Sequence, residues 1–114
     1  MHTLAQLSGR IGATILVHAE RAESVPIARV AAADKISHLL SDASPETLLV
    51  TGLSNHQLAR VAELMDAPAI CLANGAKPDR ELLAAAESHG KILLTASGAL
   101  SDVRAKLDQA LASP

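Results

Sequence analysis

The stretch LLVTGLSNHQLARVAELMDA, residues 48–67, decides the fold of this 114-residue chain. An apolar run ends at Thr51, Gly52 supplies a turn, and Leu58, Val61, Ala62 and Met65 then fall on one helical face. A strand is thus followed within a few residues by an amphipathic helix, the unit from which parallel sheets are built.

Working outward towards the C-terminus, the same unit recurs. Strand 69–73 precedes helix 79–89, with Leu82, Leu83 and Ala86 as its apolar face; strand 92–95 precedes helix 101–111, with Leu100, Val103, Leu107 and Leu111 as its stripe. Pro78 sits where a helix start tolerates a missing N–H, and Gly90 supplies a left-handed stop. This βαβαβα pattern over the C-terminal two thirds predicts parallel strands joined by right-handed crossovers, with the strand of residues 47–51 placed centrally.

Towards the N-terminus the pattern is less regular. Thr3 and Gln6 have the spacing of a capping box, Leu4, Leu7 and Ile11 share a helical face, and Gly12 ends that helix. ATILVH, residues 13–18, reads as a strand, and AERAES, residues 19–24, as a polar connection. VPIARVAA, residues 25–32, reads as a second strand with Pro26 confining it to an edge or a strand start, so the two are expected to pair at one side of the sheet. Helix 34–40 and the turn Ser44-Pro45-Glu46 complete the chain. The expected architecture is one domain over residues 1–114, an α/β fold in the form of a small three-layer sandwich around a mixed, mostly parallel sheet.

Composition restricts the function. Net charge is −2 with both signs interspersed, which offers neither nucleic acid nor a membrane surface a basic face. No window approaches a membrane span, no export signal is visible, and a single cysteine fits a reducing cytoplasm. Hydrophobic residues make up 49% of the chain and aromatic residues 0%, so the core is lean and gains from burial against a second copy; a homodimer is the expected state.

No catalytic constellation is present. Neither G-x-x-x-x-G-K-[ST] nor G-x-G-x-x-G occurs, and Cys71 lies between Ile70 and Leu72 as an inert core thiol. The five histidines, His2, His18, His38, His56 and His89, lack metal-ligand spacing. No cofactor or metal is expected. What remains is positional: Thr51, Gly52, Ser54 and Asn55 follow the first regular strand, Asn74, Gly75 and Lys77 the second, and Thr95 and Ser97 the third. Carboxyl ends of parallel strands are where open α/β sheets hold ligands, so these small polar turns should form one rim able to take a nucleotide or other anion. Ser54 and Gln57 have capping-box spacing, which is equally a device for starting a helix with nothing bound.

The segment LLVTGLSNHQLARVAELMDAPAICL, residues 48–72, with its T-G-L-x-N-x-Q turn, resembles the DRTGG domain family, and in particular its short stand-alone members. That resemblance implies a fold like the N-terminal domain of HPr kinase/phosphorylase and of the Mur ligases. It also implies a regulatory or interaction role beside a partner enzyme, a redox complex among the possibilities, without the separate P-loop domain that carries kinase activity. Gly52 and Gly75 match the family's turns. Leu53-Ser54-Asn55 stands where the family has an acidic-basic pair, and Ala73-Asn74-Gly75 where it has T-G-G.

Overall fold

The computed structural model describes residues 2–113. Its elements in chain order are β1 (His2–Thr3), α1 (Leu4–Ile11), β2 (Thr14–Val17), a 3-10 helix (Ala19–Ser24), β3 (Pro26–Ile27), β4 (Arg29–Ala32), α2 (Ile36–Asp42), β5 (Thr47–Thr51), α3 (Gln57–Leu64), β6 (Ala69–Leu72), α4 (Arg80–Ser88), β7 (Ile92–Thr95) and α5 (Leu100–Ala112). The main sheet runs β2-β7-β6-β5-β4, with β4 to β7 parallel and β2 antiparallel against β7.

Alternation along the strands builds two cores from one sheet. Leu48, Val50, Ala69, Cys71, Ile92 and Leu94 pack with Leu4, Leu7, Val103 and Leu107 of α1 and α5. Leu49, Ile70, Leu72 and Leu93 pack on the other face with Leu39 of α2, Leu58 and Val61 of α3, and Leu82 of α4. Period-two alternation makes every second side chain serve the opposite layer, which is why β5 and β6 are buried at every position. With each large aliphatic side chain contributing about 1.5–3 kcal/mol on burial, the inner strands carry the three-layer sandwich without a single ring.

Several local expectations are corrected. Residues 13–18 and 25–32 do not pair: β2 lies at one edge of the main sheet and β4 at the other. The second of these segments is also broken, because Ala28 and Arg29 both donate their N–H to the Glu46 carbonyl, at 2.8 and 3.1 Å. That break leaves Pro26 and Ile27 to pair antiparallel with Thr3 and His2 in a separate small sheet. The middle strand is β6; β5 lies one place towards the β4 edge. The second helix starts at Ile36, two residues later than the apolar spacing alone indicates, and runs on to Asp42.

The amino-terminal helix matches its sequence signals. Thr3 and Gln6 form the reciprocal capping box, and Gly12 ends the helix at φ 65°. Asp79 caps α4 by accepting the Leu82 N–H at 2.7 Å, and Gly90 follows that helix at φ 69°.

Candidate functional site

Register brings the turns to one level. Thr51 pairs with Leu72, and Leu72 with Thr95, so β5, β6 and β7 end in a single row. Thr51 is buried and Thr95 half-buried at the two flanks of that row. At the far edge β4 ends one step earlier, with Ala32 opposite Val50, and Ala33 continues the ladder by donating to the Val50 carbonyl at 3.1 Å. The next residue, Asp34, therefore arrives beside Gly52.

That placement creates the most specific contact of the rim. The Gly52 N–H donates to Asp34 Oδ1 at 2.9 Å. A Cβ on Gly52 would stand 2.7 Å from Asn74 Nδ2 and 3.1 Å from Asp34 Oδ1. A side chain at Gly52 would have to displace the Asn74 carboxamide, whereas Gly75 is favoured by its backbone at φ 64°, and Asn74 before it is also left-handed at φ 61°.

The second and third turns are laced together. Asn74 donates its N–H to the Gly98 carbonyl at 2.7 Å, and Gly75 donates to the Ala96 carbonyl at 2.9 Å. In the first turn Leu53 donates to Thr51 Oγ1 at 3.2 Å. The expected capping by Ser54 is replaced: Asn55 Oδ1 accepts the Gln57 N–H at 2.8 Å. The reason is a tight entry to the helix, in which Leu58 and Ala59 donate to the carbonyls of Asn55 and His56, three residues back. The N-cap position falls at His56, without a side-chain capping bond.

Thr51, Gly52, Asn74 and Gly75 thus meet in the rim, and Thr95 and Ser97 bound its third turn. Ser54 and Asn55 sit at the α3 entrance, Asn55 Oδ1 engaged by the Gln57 N–H. Lys77 is exposed on the way to α4 and makes no ion pair among the described residues. Asp34 was read from the sequence as a helix start. Its signal was a carboxylate directly after the apolar run of residues 30–33, but nothing local distinguishes a helix cap from an acceptor for a distant N–H.

The broad depressions of the surface lie outside the rim: one is walled by His2, Gln6, Arg10 and Leu111, and another by His56, Arg60, Glu63 and His89 between α3 and α4. In that second groove His56 pairs with Glu81 at 3.1 Å and His89 pairs with Glu63, one pair near each end of the two helices. These pairs are largely solvated and contribute little. Beneath the rim, burial pushes the Cys71 thiol up to about 12, so it is a protonated core group and no nucleophile. Among the described residues no three His, Cys, Asp or Glu side chains gather as metal ligands, and no helix is long and apolar enough to cross a membrane.

No family model and no curated protein matches this sequence. Among solved structures, the fold is similar to that of the CBS and DRTGG domains of the regulatory region of Clostridium perfringens pyrophosphatase, determined with the activator diadenosine tetraphosphate. The TM-score is 0.73 at 16% identity, over 94% of this chain and 46% of that one. The likeness therefore establishes a shared α/β fold with a protein that contains a DRTGG domain, and this chain spans about half of its length.

Proposed function

We propose that this chain is a non-catalytic regulatory module of the DRTGG type that holds a nucleotide on the rim formed by the turns after β5, β6 and β7 and passes that state to a partner enzyme. The single observation that carries the reading is the fold likeness over 94% of the chain to the regulatory region of an enzyme that takes a nucleotide activator. The convergence of Gly52, Asn74 and the 95–98 turn at the carboxyl ends of parallel strands supports the location.

Several main-chain donors that would suit a bare anion are engaged within the protein at Gly52, Leu53, Gln57, Asn74 and Gly75, which favours a ligand with more to recognise than phosphate. The lean aliphatic core supports a homodimer as the working unit. Thermal denaturation tests the proposal: diadenosine tetraphosphate or AMP at ~100 times its dissociation constant adds about 2.7 kcal/mol of stability. A melting temperature indifferent to both nucleotides leaves only the protein-interaction half of the proposal standing.

A further inference from the structure

We infer that the rim recognises the ribose diol of its nucleotide, and that Asp34 is the residue that does so; the inference rests on the nucleotide-binding reading above. Asp34 and Asn74 come from loops after different strands, yet their polar heads converge on one point above Gly52, within 3.1 and 2.7 Å of where its side chain would begin. The absent Cβ is what leaves room for both heads.

Their chemistry is that of a diol acceptor. Asp34 is exposed, its Oδ1 accepts the Gly52 N–H, and that bond orients the carboxylate with Oδ2 open to solvent. A fixed carboxylate accepts hydrogen bonds from neighbouring hydroxyls, and a carboxamide both donates to and accepts from a hydroxyl. An acid beyond the end of a strand next to the ligand turn holds the ribose hydroxyls in dinucleotide-binding sheets for the same reason. The same carboxylate repels a phosphate placed on Gly52, and the neighbouring N–H groups of Leu53, Asn74 and Gly75 are already given to Thr51, Gly98 and Ala96. Sugar at Gly52 and phosphate away from it is the arrangement that satisfies both charge and hydrogen bonding.

The experiment is an amide-resolved NMR titration of the full chain with AMP, 2′,3′-dideoxy-AMP and inorganic phosphate, repeated on Asp34→Asn and Asp34→Ala. AMP is expected to shift the Gly52 and Asn74 amides, and removing both hydroxyls to weaken binding about ten-fold, since hydrogen bonds to a charged group are lost. Asp34→Asn, which keeps an acceptor for the Gly52 N–H, is expected to bring AMP close to the affinity of the dideoxy compound without altering the fold. Phosphate alone is expected to leave Gly52 unmoved. Equal affinity for AMP and its dideoxy analogue, or undiminished AMP binding by both variants, overturns the diol assignment while the nucleotide reading survives. If AMP is silent and diadenosine tetraphosphate, which carries two ribose diols, still raises the melting temperature, the same rise in Asp34→Asn and Asp34→Ala overturns the diol assignment alone; silence towards both nucleotides overturns it together with the nucleotide half of the proposed function.

Discussion

The turn after β5 and the turn after β6 lie side by side, each with a glycine, and the two glycines are needed for opposite reasons. Gly75 has open space around its missing side chain and a left-handed backbone; Gly52 lies outside the left-handed glycines and has no space. One turn is governed by the conformation of its own chain. The other is governed by what two distant loops place against it, so the need for Gly52 is tertiary and the need for Gly75 lies in its own backbone.

The strands beneath the turns differ as well, and here the largest effect is expected. Val50 and Cys71 are register partners in β5 and β6, but only Cys71 titrates. Burial pushes its thiol from an ordinary 9.0 up to about 12, so the buried thiol adds stability that is complete below pH 9 and lost as pH rises towards 12. The sign follows from proton binding: in that window the unfolded chain holds fewer protons than the folded one, and stability falls by up to about 1.4 kcal/mol per pH unit. Denaturant midpoints measured from pH 8 to 11 should show this slope, and Cys71→Ala should remove it. An unchanged slope in the variant breaks the distinction between the strands.

Next in size is Gly75→Ala, which forces a side chain into left-handed backbone and should cost about 1–2 kcal/mol in urea denaturation. Adding Asn74→Gly should not relieve it, because nothing stands against the new Cβ.

The smallest effect should come from Gly52→Ala. The new Cβ meets the tips of two side chains rather than backbone, and displacing Asn74 from its rotamer should cost about 0.5–1.5 kcal/mol. Asn74→Gly in the same chain should recover most of that loss, since the 2.7 Å contact disappears and glycine tolerates φ 61°. A double-mutant cycle with coupling at Gly75 and none at Gly52 would reverse the comparison.

The same division runs through the whole chain. Strands β5, β6 and β7, with α3, α4 and α5, were legible because each connects to its neighbour through a short loop, and periodicities of two and 3.6 report directly on burial. The N-terminal third was legible in its helix, where Thr3, Gln6 and Gly12 act within a few residues of one another. It was not legible in its strands. β2 crosses to the free edge of β7, and β4 to the opposite edge, and neither choice leaves a mark on ATILVH or VPIARVAA. The rim followed the same rule: that Gly52 and Gly75 follow strand ends was readable, while Asp34 was misread as the start of a helix. Ser54 was misread as a cap because Asn55, one residue on, makes a tighter local turn to Gln57.

By itself the sequence determined the alternation of strands and helices, the parallel run that ends in the rim, the absence of known catalytic motifs and the inert setting of Cys71, because these depend on hydrophobic period and on neighbours a few residues away. Only the tertiary structure decided the order of the strands, the purpose of Gly52 and the placement of Asp34 beside Asn74. Those depend on contacts across 18 residues and more, as between Asp34 and Gly52. Such contacts form when packing of the two helical layers fixes how far each strand end projects, which no local stretch of the chain can encode.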